Sequence, residues 1–328
     1  MKVNAILNTN TTFSRRVKTN RINNSPISIT KKELKIDTEA ILSQAQTAIK
    51  DSEKVYTESQ NIANKAKQIE YDFQQKLREV KQLIKKGQRN NYKEIIDSTG
   101  NKIADFQTSA ISKNKSLIAV TQYNEEGNLI RKTWLQNFMG EISEMDEFDA
   151  INRKTNRYVF NNQTNSLIEF QKGIKNNDSQ KTEIEEKYTY SSLSRLEKYE
   201  QGYREFEGGN STEKIYRYSF GLISNYEENV EFSEKNIQLT SDKFISFDEN
   251  DSIGVYILQH TVGNLGYHQN DKVFQFKNGN LTRYIETEIL TPQFGQYRAK
   301  TFDFENGKIK SWGVLYYMPD KKREVTWI

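Results

Sequence analysis

Apolar and polar positions follow two different periods along this chain, and the change falls near residue 90. From 33 to 88 the period is helical. Leu34, Ile41, Ala48, Val55, Ile62, Ile69, Lys76 and Leu83 recur every seven residues, and Thr38, Ala45, Ser52, Ser59, Ala66, Phe73, Val80 and Gly87 form a second line four residues on. The stretch holds no proline, and glycine enters only at its end, so the pattern predicts one continuous helix. Small residues fill most of the second line, which calls for a closely approaching partner surface. Ile49, Tyr56, Leu77 and Ile84 widen the stripe beyond the seam of a two-stranded zipper.

From about residue 92 to 328 short alternating runs take over, separated by turn sequences such as 98–101, 124–128, 161–165, 277–280 and 305–308. Asn278-Gly279 and Asn306-Gly307 are hairpin signals, because both central residues of a type I′ turn need positive φ. With Asn306-Gly307 as a two-residue turn, Phe304 faces Ile309 and Phe302 faces Ser311. The same register sets Phe276 against Leu281, Phe274 against Arg283, Tyr218 against Ile223 and Ile215 against Tyr226. The unit is aromatic-x-aromatic, turn, aliphatic-x-x-aromatic.

Its second half recurs as Ile103/Phe106, Leu167/Phe170, Leu196/Tyr199, Ile223/Tyr226, Ile253/Tyr256, Leu281/Tyr284 and Ile309/Trp312. From Phe170 the aromatic steps are 29, 27, 30, 28 and 28 residues. The first half follows as Tyr158, Tyr188, Tyr216, Phe244, Phe274 and Phe302. A unit at Tyr123–Leu129 breaks the rule, with Lys132 where an aromatic belongs, and an acidic insertion at 140–150 follows it. The expectation is eight hairpin units of about 28 residues, hence about 16 antiparallel strands.

On a regular strand the aliphatic and the aromatic, three residues apart, point to opposite faces. A meander this wide is expected to form a curled open sheet rather than a closed barrel. A helix of 55 residues spans about 80 Å, and 16 strands at about 4.8 Å span about 77 Å. That match favours a mainly β protein whose helix lies along the sheet and crosses its strands. The alternative is a coiled coil that makes oligomers through 33–87.

The units at 273–284 and 301–312, with a Phe-rich strand, an Asn-Gly turn and a Leu/Ile strand, resemble the MORN-like and YD (RHS-like) hairpin repeats. The resemblance implies an extended antiparallel architecture used for binding, scaffolding or encapsulation. It carries over no catalytic residue.

Composition narrows the choices. Only 35% of residues are apolar while 12% are aromatic, so aromatic rings must supply much of the burial. The net charge of +4 comes from 48 basic and 44 acidic residues of mixed sign, which argues against nucleic acid as a partner. The chain has no Cys, which excludes disulfides and thiol chemistry. No apolar run reaches the length of a membrane span or a secretory signal, so a cytoplasmic or non-classically exported protein is expected. Residues 1–32 hold seven basic residues and no acidic one and are expected to be a disordered basic leader.

Chemistry is sparse. His260 and His268 are the only histidines; with Asp271 they are the weak candidates for a metal or acid/base site, though their spacing matches no ligand motif. Glu141, Glu144, Asp146, Glu147 and Asp149 lack the form of a calcium loop and are expected to be a solvated insertion. No cofactor and no catalytic residue is expected. The interleaved Tyr158, Tyr216, Tyr218, Tyr284, Arg217 and Arg283 are the candidate binding residues, with cross-strand packing as their other reading. The expected function is a non-enzymatic repeat scaffold whose wide β surface engages a protein partner or self-assembles. A glycan- or envelope-binding module is the alternative, and an effector or enzyme with a site near His260–Asp271 the third reading.

Overall fold

A computed structural model describes residues 37–317, apart from residue 92 and the short connections 113–114, 139–141, 150–153, 162, 177–181, 203–210, 235–236, 263–266 and 292–295. The leader and Leu34 lie outside the described residues. One helix, α1 (Thr38–Arg89), is followed only by strands. These are β1 (Ile95–Ile96), β2 (Lys102–Ser112), β3 (Lys115–Tyr123), β4 (Leu129–Phe138), β5 (Ile142–Asp149) and β6 (Lys154–Asn161). They continue with β7 (Leu167–Asn176), β8 (Thr182–Glu183), β9 (Glu186–Tyr190), β10 (Leu196–Gln201), β11 (Ser211–Ser219) and β12 (Leu222–Glu234). The last six are β13 (Ile237–Phe247), β14 (Ile253–Val262), β15 (Tyr267–Lys277), β16 (Asn280–Thr291), β17 (Gln296–Glu305) and β18 (Lys308–Tyr317).

All but β8 form one antiparallel meander, each strand pairing with the next from β1 to β18. Among the described residues β8 pairs with the end of β7 alone. The sheet is open: among the described residues β18 has no partner strand beyond β17. The meander thus has one strand more than eight hairpins supply, and the extra one is β5. The acidic stretch expected to be a solvated insertion is a regular strand, paired on both sides. Because neighbours are antiparallel, one added strand moves every later unit's turn to the opposite edge of the sheet.

The turns form as the sequence requires. Asn278 and Gly279 have φ of 51° and 74°, and Asn306 and Gly307 have 51° and 72°. Beside each turn, however, lies a β-bulge absent from the expected register. Phe304 opposes Ile309 as predicted, but Lys310 is bulged, so Phe302 opposes Trp312 rather than Ser311. Likewise Phe274 opposes Tyr284 rather than Arg283, and Tyr216 rather than Ile215 opposes Tyr226. The extra residue resets the pleat. Aliphatic and aromatic therefore point to the same face, not opposite ones: Ile223 and Tyr226 are both buried, as are Ile253 and Tyr256. Hydroxyls of the bulged Ser224 and Thr282 donate across to the carbonyls of Arg217 and Gln275 at 3.1 and 3.0 Å.

One face thereby carries a continuous row across the strands: Met145, Tyr158, Phe170, Tyr188, Tyr199, Tyr216, Tyr226, Ile245, Tyr256, Phe274, Tyr284, Phe302 and Trp312. From Tyr158 to Tyr226 and from Tyr256 to Phe302 successive rings lie 4.8–6.1 Å apart, in the range of favourable aromatic contacts. Ile245, not the expected Phe244, holds the row in β13, because Ile245 is the residue in register with Tyr226 and Tyr256.

Helix α1 lies along this row, crossing the strands. Near its start Gln44 meets Lys272 of β15, and near its end Gly87 sits over the Phe106 ring of β2. A Cβ at Gly87 would come within 2.8 Å of that ring, so only glycine lets the helix end settle there. Forty-three residues rise about 65 Å, and the 12 strand steps from β2 to β15 span about 58 Å. The helix therefore keeps pace with the sheet, as the length match predicted.

The agreement is also local. The Tyr218 and Tyr190 hydroxyls donate to the backbone carbonyls of Ser59 and Ala66, and the Phe73 ring packs on Phe160 at 5.3 Å. Seven helix residues (about 10.5 Å) thus match one hairpin of 28 or 30 residues (two strands, about 9.6 Å). The small second line is the contact line: Ala45, Ser52, Ser59, Ala66, Phe73, Val80 and Gly87 are all buried. The first line is not kept throughout. Beyond Phe73 the buried partners become Leu77 and Ile84 instead of Lys76 and Leu83. A strict seven-residue repeat drifts against a straight helix, so the stripe changes flank, here where α1 passes β5.

Phe73 is fully buried between Tyr158 and Phe160. Phe73→Ala is expected to cost about 3–5 kcal/mol in urea unfolding. Tyr71→Ala, at a helix position 59% exposed, is expected to be near neutral.

Candidate interaction surfaces

The six residues singled out from the sequence divide between the two faces. Tyr158, Tyr216, Tyr218 and Tyr284 are 3%, 1%, 7% and 3% exposed, on the face under α1. They are packing residues and do not form an open binding surface. Arg217 and Arg283, next along their strands, point the other way, as the pleat demands. They bond to Glu227 at 3.2 Å and Asp303 at 2.6 Å. Interleaving in sequence thus separates the two residue types in space.

The tyrosine hydroxyls fasten the helix. Tyr216 donates to Glu58 at 2.7 Å and Tyr256 to Asp51 at 2.8 Å, while Lys243 holds the same Asp51 carboxylate at 3.4 Å. Tyr188 donates to Glu186, which also receives Lys65 from the helix and Lys172 from β7. Burial alone would raise the Glu186 carboxyl, but these hydrogen bonds outweigh it and hold it below its ordinary range. Burial, reinforced by carboxylate neighbours, pushes the hydroxyls of Tyr158, Tyr188, Tyr216 and Tyr256 well above the usual tyrosine range.

One charge carried deep under the helix is Glu147, at 7% exposed. It accepts from Lys76 at 2.6 Å, Arg131 at 2.8 Å and Tyr158 at 3.2 Å. The network explains one irregularity of the sequence, the lysine in the apolar helix line. Its distinct chemistry marks one position along α1, which a row of similar rings does not.

Both histidines lie in strands. His260 lies in β14 opposite Asn270, and His268 in β15 opposite Thr261, with a bulge between. Asp271 opposes Gln259 and is buried, its backbone N–H donating to the Thr287 hydroxyl at 3.2 Å. Among the described residues no three His, Asp or Glu side chains gather as a metal site would need. Among the described residues no helix is long and apolar enough to cross a membrane.

The face away from α1 carries ion pairs between neighbouring strands: Arg157 with Asp146 at 2.8 Å, Lys187 with Glu169 at 3.1 Å, and Arg217 and Arg283 with the partners above. The Asp146 hydrogen bond raises the Arg157 guanidinium further above its ordinary value. Over β13–β16 the charges give way to an apolar band in register, Phe244, Ile257, Val273 and Ile285. Ile257 and Val273 are buried, and Phe244 and Ile285 are half-buried. Sequence reasoning missed this band because the aliphatic residues of the unit drew attention to the other face. The chain matches no protein-family model and no curated protein.

Proposed function

We propose that the protein is a non-enzymatic repeat scaffold that engages a protein partner through the sheet face opposite α1. The observation that carries this reading is the division of the faces. The rings that would stack sugars are buried under the helix, whereas the other face joins the half-buried Phe244 and Ile285 to rows of charged side chains. An apolar centre with a polar, charged rim is the anatomy of a protein interface, and a paired helix and sheet give it a stiff support. The likeness of the C-terminal hairpins to MORN-like and YD repeats favours the same role. The burial of the tyrosine rings weighs against a glycan-binding module, which needs exposed aromatic rings.

The test compares proteins cross-linked in the source cells to the wild type, to a Phe244→Ala/Arg283→Glu variant, and to Tyr71→Ala on the outer helix surface. The expected result is one partner reduced at least tenfold by the first variant and unchanged by the second. A partner retained by both, or saturable binding to an oligosaccharide, overturns the reading.

A further inference from the structure

At one place the contact between helix and sheet opens into a cleft of about 410 Å³, lined among others by Ile49, Ser52, Tyr56, Phe247 and Asp251. It falls in the unit where Ile245 replaces a ring of the row and where the connection is the longer turn Asp248–Ser252 rather than Asn-Gly. That turn is closed by Asp248, whose Oδ1 accepts from the backbone N–H groups of Asn250 and Ser252 at 2.9 and 3.0 Å. It does not need the Asp251 carboxylate. Asp251 instead faces the helix: the Tyr56 hydroxyl donates to its Oδ2 at 3.1 Å, while its Oδ1 is buried with no hydrogen-bond donor.

A carboxylate oxygen withdrawn from water without a donor is a poor arrangement for a folded protein and a good one for a ligand that brings the donor. The lining defines that ligand. A second carboxylate, Glu53, stands in the wall and no Lys or Arg does. The Tyr56 and Phe247 rings, 6.3 Å apart and inclined at 45°, offer aromatic surface, and Ile49 and Ile253 add apolar surface. Negative charge beside aromatic rings suits a cation, and the volume lies in the lower range of small-molecule pockets.

We infer that the cleft between α1 and the β13–β14 turn binds a small organic cation, an ammonium or guanidinium group on a short apolar body. The cation's N–H donates to Asp251 Oδ1 and its body lies against Tyr56 and Phe247. No other helix position in line with Tyr56 repeats the arrangement: seven residues either side stand Ile49 and Ala63.

The full chain is titrated by calorimetry with phenethylammonium and butylguanidinium, and with phenethyl alcohol as the neutral counterpart. The decisive variant is Asp251→Asn. Asp251 has a φ of 59°, and Asn165, Asn278 and Asn306 adopt the same left-handed conformation in sister turns, so the substitution keeps the turn while removing the charge. The expected result is saturable binding of at least one cation, weakened at least tenfold by Asp251→Asn, with an unchanged circular dichroism spectrum and melting temperature. Equal binding of the alcohol, equal binding by the variant, or failure of both cations to saturate the wild type overturns the inference.

Discussion

Above pH 10 the protein is expected to unfold in a single step, its helix, sheet and tyrosine hydroxyls all lost together. Nine tyrosines of the helix-facing side, Tyr158, Tyr188, Tyr190, Tyr199, Tyr216, Tyr218, Tyr226, Tyr256 and Tyr284, have hydroxyls raised above the ordinary value of 10.0, with burial the first cause of each. The folded state keeps these protons at a pH where the unfolded chain gives them up. Their contribution is therefore complete below pH 10 and declines as pH rises towards the folded values. Each costs about 1.4 kcal/mol per pH unit beyond 10, so at pH 11 the nine together approach about 13 kcal/mol, comparable with the whole stability of an ordinary domain. Half-unfolding is expected between about pH 10.5 and 11. Tyrosinate absorbance and far-ultraviolet circular dichroism should change in one shared transition, after a smaller, gradual titration of the remaining tyrosines. If all 18 tyrosines of the chain ionise gradually while the dichroism persists, the clamp of helix on tyrosines is wrong.

This behaviour follows from a feature the sequence showed only in part. The seven-residue period of α1 was legible because both lines persist for more than 40 residues, and the hairpin unit because it recurs at 27–30. What remained hidden was one residue per unit. Ser224, Thr282 and Lys310 look like ordinary strand members, yet each is bulged. Once bulged, they turn Tyr226, Tyr284 and Trp312 onto the face that α1 covers. Sequence alone therefore left open whether the rings bind a ligand or pack.

The strand β5 was hidden for another reason. Its alternation is visible only if Glu147 counts as buried, and its burial depends on Lys76 and Arg131, one of them 71 residues away. The candidate cation cleft was less legible still, since Tyr56 and Asp251 meet across 195 residues. No local period announces such a pair.

The matching of seven helix residues to one hairpin leads to the strongest test of the architecture. Removing residues 58–64 from α1 alone should severely destabilise the protein, and removing 191–218 from the sheet at the same time should restore it. The two segments belong together. Glu58 and Ser59 receive Tyr216 and Tyr218, whereas Lys65 and Ala66 serve Glu186 and Tyr190 and remain in place. In the helix-only deletion, everything before residue 58 moves by about 10.5 Å relative to everything after. If Lys76 stays on Glu147, then Asp51 leaves Tyr256 and Lys243, and Gln44 leaves Lys272. If the first half stays, the Glu147 network breaks instead.

Either outcome takes the helix partner from buried Tyr256 or from buried Glu147 and should cost about 3–5 kcal/mol, or about 5–8 °C in melting temperature for a chain of this size. The paired deletion joins Tyr190 to Ser219 and lets β9 run through the Phe220-Gly221 turn into β12, with antiparallel pairing kept. It is expected to melt cooperatively within a few degrees of the wild type, as a solenoid shortened by one whole unit would. If instead the paired deletion melts as low as the helix-only deletion, seven residues per hairpin is a coincidence of length and not the rule by which helix and sheet are joined.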